Sequence, residues 1–293
     1  MRIAIFGQYY QNDTRPIIND ILLFLVENHV SLLIEINFLK ILHDEKIIDD
    51  HFEHFTSHLD LKGVDLLLSI GGDGTILRAI NFVRDSGIPI LGINAGRLGF
   101  LAKVQKENIS HLLEKVLQKQ YTLSDRSLVS LNFEGAHDAF SGLNFALNEV
   151  SINRKDTTSM ITIETYLNGE YLTSYWADGL IISTPTGSTG YSLSCGGPVL
   201  LPHVSSFVIT PIAPHNLNAR PLVIPDDMEI SMKVSGRESQ FLVSLDSRIV
   251  VLQNEIVLKV KKASFSIKMV EIEEESFLQT LRKKLLWGED RRN

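Results

Sequence analysis

The sequence predicts an N-terminal α/β domain with a doubly wound parallel sheet, followed by an all-β, β-sandwich-like domain. Three observations carry this. Apolar runs and helical patterns alternate through roughly the first 120 residues, at the spacing of βαβ units. Two of those runs end in Gly-rich turns, Gly71-Gly72-Asp73-Gly74-Thr75 and Ala95-Gly96-Arg97-Leu98-Gly99-Phe100. Both turns stand at carboxyl ends of strands, where open parallel sheets bind ligands. From Thr122 onward short alternating runs take over, dense enough for two packed antiparallel sheets. The expected division is 1–122 and 123–274, with a helix within 275–293 returning to the first domain.

In chain order, Ile3–Phe6 closed by Gly7 reads as a buried parallel strand. Thr14 can cap a helix with Pro16 in its first turn, and Ile17, Ile18, Ile21, Leu22 and Leu25 follow the helical period. Leu32–Ile36 is a second strand. Residues 40–62 are helical or irregular, and the spacing of His51, His54 and His58 suits one helical face. Without a Cys or acidic partner at ligand spacing, solvated histidines are the simpler reading than a metal site. Leu66–Ile70 is the third strand, a helix runs from Ile76 to Val83, and Gly87–Asn94 is the fourth strand. A helix near Lys106–Gln118 ends this part.

The β-rich part offers strands at Ser127–Phe133, Ala146–Ile152, Met160–Leu167, Tyr171–Trp176, Leu180–Ser183, Ser206–Ile212 and Leu222–Ile224. Others follow at Glu229–Val234, Gln240–Leu245, Ile249–Val251, Glu255–Val260 and Phe265–Met269. Asn168-Gly169 between two of them is a hairpin signal. Phe277–Trp287 returns to a helical period, with Phe277, Leu281, Leu285 and Leu286 on one side and Arg282, Lys283 and Lys284 on a solvated face.

Composition excludes several classes. With 28 basic against 35 acidic residues the net charge is −7, which argues against nucleic acid as the main partner. The single cysteine, Cys195, rules out an intrachain disulfide and suits a reducing, cytoplasmic setting. The N-terminal apolar run is too short for a signal peptide, and no run of about 20 apolar residues suggests a membrane span.

The first Gly-rich turn is a strand feeding a helix, the way α/β proteins present backbone N–H groups to phosphate. It is not the dinucleotide fingerprint. Asp73 is its odd member: a carboxylate repels phosphate, so its chemistry fits a hydroxyl or a metal. It equally fits a helix N-cap, and the residues alone leave both open. Arg78, one turn into the helix, either reaches back to a phosphate or lies on the surface. A second constellation runs Asp178-Gly179, then Thr184-Pro185-Thr186-Gly187-Ser188-Thr189-Gly190-Tyr191-Ser192-Leu193-Ser194 and Gly196-Gly197-Pro198. Such a loop offers many small donors and one aromatic face. No His or Lys stands beside its serines, so a serine hydrolase is not supported. Asn148-Glu149, inside an apolar run, needs partners if buried; a ligand and a strand-end cap both serve.

Together these residues resemble the NAD kinase family. Gly71–Thr75, Asn148-Glu149, Asp178-Gly179 and Thr184–Tyr191 fit in order and spacing along nearly the whole chain. Pro211-Ile212-Ala213-Pro214-His215, Arg220-Pro221-Leu222 and the tail Phe277–Trp287 also match. Gly-Gly-Asp-Gly-Thr alone is shared with phosphofructokinase-like and lipid kinases; the Thr-Pro-Thr-Gly-Ser-Thr run with Asn-Glu is the specific part. There are three departures: Gly190 stands where the family usually has Ala, Trp176 where a basic residue is common, and Asp246-Ser247-Arg248 replaces Asp-Gly-Gln.

The resemblance implies transfer of the ATP γ-phosphoryl to the 2′-hydroxyl of the adenosine ribose of NAD, giving NADP and ADP, with a divalent metal, expected to be Mg²⁺. No metal ligand is assigned. Asp73 would be the general base, Gly71, Gly72 and Thr75 would hold the donor phosphates, and Gly74 and Arg78 would lie against substrate. The dinucleotide would sit between the domains. Asn148, Thr189, Gly190, Tyr191, Ser192, Leu193 and Ser194 would hold its adenosine side, and Thr186 would also bind substrate. Glu149 and Asp178 would bind towards the nicotinamide riboside, and Arg248 would contact substrate in a way that differs in kind from the Gln usual there. Phe100 would pack on adenine or join the core. Ala213 would reach a neighbouring subunit of a homo-oligomer, dimer or tetramer. Two other readings stand beside this one, a lipid or sugar kinase of the same superfamily and a non-catalytic NAD(P) sensor.

Overall fold

The computed structural model describes residues 1–8, 14–47, 52–94, 99–102, 109–134, 139–156, 159–254, 256–272 and 276–286. The chain divides into two compact units, 1–125 with 267–293, and 126–266.

The first unit is built from β1 (Arg2–Gly7), α1 (Arg15–Glu27), β2 (Ser31–Glu35), α2 (Ile36–Asp44), β3 (Glu53–Phe55), β4 (Leu66–Ile70), α3 (Asp73–Val83), β5 (Ile90–Ile93) and α4 (Ile109–Leu117). Its strands pair in parallel in the order β5-β4-β1-β2-β3. Ile5 lies beside Ile34 on one side and Leu68 on the other. β4 is buried at all five positions, as a strand covered on both faces must be. Ile18, Ile21 and Leu25 of α1, Leu113 and Val116 of α4, and the central strands form one apolar core.

The second unit holds most of β6 (Thr122–Phe133), then β7 (Phe145–Ala146), β8 (Glu149–Arg154), β9 (Ile161–Leu167), β10 (Glu170–Ala177), β11 (Gly179–Ser183), α5 (Tyr191–Ser194), β12 (Ser206–Ile212), β13 (Leu222–Pro225), β14 (Ile230–Gly236), β15 (Gln240–Leu245), β16 (Arg248–Gln253) and the start of β17 (Leu258–Glu271). One antiparallel sheet runs β13-β12-β11-β8-β15-β16; the other places β9 between β10 and β14, with β17 beyond β14 and β6 also on β17. Apolar residues of both sheets, Ile152, Ile182, Ile209 and Val243 from one and Ile163, Met232 and Val260 from the other, share a core. This is the expected sandwich-like arrangement. The last residues of β17 belong to the first unit, where Met269 pairs in parallel with Ile90, and α6 (Phe277–Leu285) follows there.

Several local expectations are corrected. The second strand stops at Glu35, because the buried Glu35 carboxylate accepts the N–H groups of Asn37 (3.0 Å) and Phe38 (2.9 Å) and starts α2. His54 lies in β3 and His58 in a 3-10 turn, so they share no helical face; His51 lies outside the described residues. The run expected as Ala146–Ile152 is two strands broken at Leu147-Asn148, and the runs expected at 255–260 and 265–269 are one continuous β17. The fourth strand starts only at Ile90, after Gly87 takes a left-handed turn at φ +73°. Residues 95–98 of the second Gly-rich turn, 106–108 and Trp287 lie outside the described residues.

Candidate functional site

β4 ends at Ile70, and Gly71 turns the chain into α3. Its φ is +149°, and a Cβ there would fall 2.3 Å from Thr75 Oγ1, so only glycine fits. Gly72 is the N-cap, and among the described residues Cβ atoms built on Gly72 or Gly74 meet nothing within 4 Å. The backbone is therefore approachable from outside at both. Thr75 is buried, and its hydroxyl donates to Gln8 Oε1 at 3.3 Å. Gln8 follows β1, the strand next to β4. Arg78 is exposed and lies back along its own helix: Nε donates to Gly74 O at 3.3 Å and Nη2 to Gln8 Oε1.

Asp73 is the first residue of α3, and its half-buried carboxylate is held by three backbone donors from a distant stretch. Oδ2 accepts the N–H of Phe100 at 2.8 Å; Oδ1 accepts those of Leu101 and Ala102, both at 3.0 Å. The side chain does not cap its own helix. A carboxylate offers about four acceptor positions, so among the described residues these bonds leave one, on Oδ2. A Cβ at Gly99 would fall 1.9 Å from Asp73 Oδ1, so the chain passes the carboxylate only because residue 99 has no side chain. Sequence reading marked Gly99 as part of a Gly-rich turn and missed this contact. Among the described residues, no three His, Cys, Asp or Glu side chains gather as a metal site.

The second constellation lies in the other unit. Asn148 and Glu149 enter β8, and Asp246 turns under them: its carboxylate accepts the N–H groups of Leu147 (3.0 Å), Asn148 (2.8 Å) and Glu149 (3.2 Å). Thr184 Oγ1 donates to Leu147 O at 2.5 Å and accepts the N–H of Gly187 at 3.1 Å. A Cβ at Gly187 would lie 2.1 Å from Asn148 O. The Thr-Pro-Thr-Gly-Ser-Thr loop thus packs backbone to backbone against Asn148. Thr189 Oγ1 donates to Thr186 O at 3.2 Å, and Ser188 Oγ accepts the N–H of Leu200 at 2.9 Å, so the loop is ordered by its own hydroxyls.

Glu149 Oε2 is buried and, among the described residues, has no hydrogen-bond partner. Burial, reinforced by the nearby Asp246 charge, pushes its carboxyl from the usual 4.5 up to about 8. A Cβ on Gly190 would sit 3.6 Å from this Oε2 and 3.7 Å from Asn148 Nδ2, so the two polar groups face the side that lacks a methyl. Tyr191 opens α5 half-exposed; its hydroxyl is shifted upward by burial first, then by Cys195, Asp178 and Glu149. Ser192 is buried, its hydroxyl 2.8 Å from that of Thr210; Leu193 is half-buried and Ser194 exposed. Arg248 directs its guanidinium to backbone carbonyls, Nη1 to Leu143 O at 2.5 Å and Nη2 to Phe145 O.

Asp178 and Ala213 meet in a cavity of about 630 Å³ in the same unit. Asp178 Oδ1 pairs with Arg154 Nη1 at 2.9 Å, and Ala213 sits at φ +44°. The rings of Trp176 and His215, also on this cavity, are 5.2 Å apart at 57°. Arg154 and Arg237 supply positive charge here, although position 176 carries an indole. Sequence reading missed Arg154; the signal was its place at the end of β8, which pairs with the start of β11 after Asp178.

Comparison with known proteins gives the family. Residues 15–121 match the model of the ATP-NAD kinase N-terminal domain, and residues 147–272 that of the C-terminal domain. A NAD kinase of Flavobacterium johnsoniae is 66% identical over 294 residues, covering all of both chains. One of Bacteroides fragilis is 42% identical over 296 residues, again covering both. Among solved structures, yeast NADH kinase complexed with NADH superimposes with a TM-score of 0.87 at 23% identity, covering 100% of this chain and 89% of that one. An NAD kinase from Archaeoglobus fulgidus in complex with ATP gives 0.76 at 26% identity, covering 98% and 99%. From the glycine turn of α3 to the Asn148-Glu149 corner, the chain belongs to the NAD kinase family.

Proposed function

We propose that this enzyme transfers the γ-phosphoryl group of ATP to the 2′-hydroxyl of the adenosine ribose of NAD, releasing NADP and ADP, with Asp73 as general base. The observation that carries the reading is the Asp73 carboxylate, fixed by three N–H groups with one acceptor position left on Oδ2. A secondary hydroxyl is a poor nucleophile until its proton has an acceptor. A carboxylate at hydrogen-bond distance supplies one, typically worth about 10²–10⁴-fold. The open backbone at Gly72 and Gly74, with Gly71 and Thr75 shaping the turn, would seat the donor phosphates. Arg78 would lend charge from its place over Gly74. Mg²⁺ would accompany ATP, held mainly by the nucleotide's own phosphates and neutralising charge on the γ-phosphoryl group.

In the same reading Asn148 and the stretch Thr189–Ser194 recognise the adenosine half of NAD, with Tyr191 beside the ring, and Thr186 also binds substrate. Glu149 and Asp178 take the nicotinamide riboside. Arg248 acts by fixing the carbonyls of Leu143 and Phe145 ahead of Asn148. Ala213 serves a neighbouring copy in a homo-oligomer. An Asp73→Asn variant tests the base. NAD affinity should stay within a few-fold while kcat falls by about 10²–10⁴; near-normal turnover would overturn the assignment.

A further inference from the structure

Phe100 links Asp73 to the C-terminal helix. Its N–H holds Asp73 Oδ2. Its ring lies 6.1 Å, centroid to centroid, from that of Phe277, tilted by 39°, and Lys284 Nζ stands 5.1 Å from the ring centre. Phe277, Leu281 and Lys284 are spaced i, i+4, i+7, which is one face of a helix. Leu281, between the other two, is 5% exposed and anchors that face. The start of α6 is set by a capping box: Ser276 Oγ accepts the N–H of Gln279 at 3.2 Å, and Gln279 Oε1 accepts that of Ser276 at 2.8 Å. Phe277, the next residue, therefore begins the helix at a defined place.

The geometry of the carboxylate explains why this matters. Oδ1 is held by the N–H groups of Leu101 and Ala102, and Oδ2 by that of Phe100. The terminal torsion of Asp is broad, and a turn about Cβ–Cγ moves both oxygens of the planar carboxylate together, so the Phe100 N–H is the donor that fixes the Oδ2 end of that plane. Oδ2 also carries the one acceptor position left for a proton. We propose that α6 braces the catalytic carboxylate: its Phe277–Lys284 face holds the Phe100 ring, and the ring holds the peptide that orients Asp73 Oδ2. Phe277 and Lys284 are thus positioning residues. This rests on Asp73 being the base.

The test is steady-state kinetics on the full-length protein carrying Lys284→Ala, Lys284→Arg, Phe277→Leu or Phe277→Tyr, each alone and combined with Asp73→Asn. Lys284→Ala and Phe277→Leu should each lower kcat by roughly three- to tenfold, with KM for NAD within about twofold. Lys284→Arg and Phe277→Tyr, which keep a cation or a ring against Phe100, should recover most of kcat. In the Asp73→Asn background the same changes should have no further effect on kcat. A lowered melting temperature with unchanged kcat would overturn the brace. So would a fall in KM for NAD at constant kcat, which would mean that Phe100 is kept from adenine rather than used for Asp73. If Asp73→Asn alone collapses kcat while Lys284→Ala and Phe277→Leu leave it intact, the brace fails and the base stands. If Asp73→Asn turns over normally, the base itself fails.

Discussion

Glu149 shows how one atom's surroundings set a measurable property. Its carboxyl titrates near 8 because burial and the Asp246 charge both disfavour ionisation. Asp246, itself pushed up by burial, has three N–H donors pulling the other way, and Arg248, its cationic neighbour, is held down by burial. In the folded protein Glu149 keeps its proton between pH 4.5 and 8, whereas the unfolded chain loses it, so stability falls as pH rises through that window and is flat above it. Glu149→Gln should remove this share, up to about 1.4 kcal/mol per pH unit. Urea midpoints of parent and variant from pH 5 to 9 should diverge in favour of the variant up to pH 8, then run parallel. Asp73 and Glu149 were both legible in the sequence as charges out of place, one among glycines and one in an apolar run. Their partners were not. Gly99 and Phe100–Ala102 meet Asp73 from more than 25 residues away, and Asp246 lies 97 residues from Glu149, so no local pattern could couple them.

Among the elements, turns were read best, because their chemistry is local. Asn168 (φ +50°) and Gly169 (φ +84°) make the two-residue hairpin between β9 and β10 that the dipeptide announced. Gly169→Val puts a β-branched side chain where φ is positive and should cost about 1–2 kcal/mol, measured as a drop in unfolding midpoint with kcat unchanged. Element ends were read less well. Glu35 looked like the interior of an apolar strand, yet its carboxylate turns the chain into a helix by taking two N–H groups. β17 was read as two strands because exposed residues such as Lys261 and Lys262 interrupt its apolar pattern, although the strand runs through them unbroken. Lys261 pairs with Glu229 at 2.6 Å and Lys262 with Asp226 at 2.6 Å, so the interruption is where β17 ion-pairs with the turn between β13 and β14.

At the level of the molecule, each unit has its own apolar core, and the switch from α/β to all-β was legible from periodicity alone. Binding should be separable from turnover at this scale. NAD at about one hundred times its Kd should stabilise the folded protein by roughly 2.7 kcal/mol, and Asp73→Asn should keep that shift. A thermal-shift titration of both proteins checks it, and a lost shift in the variant would assign Asp73 to binding.

β17 leaves the second unit and ends in the first, so the first unit is assembled from two separate stretches, 1–125 and 267–293. During synthesis the second unit, 126–266, is contiguous and can close as soon as it emerges. The parallel sheet can close only in part, because β1 to β5 all lie within residues 2–93 while the place beside β5 waits for β17. Its glycine turn and Asp73 are made early, but Met269, which pairs beside Ile90, and α6, which packs on Phe100, arrive last. The nascent sheet therefore keeps an open place beside β5, and the carboxylate that β4 delivers early acquires its brace only when α6 emerges.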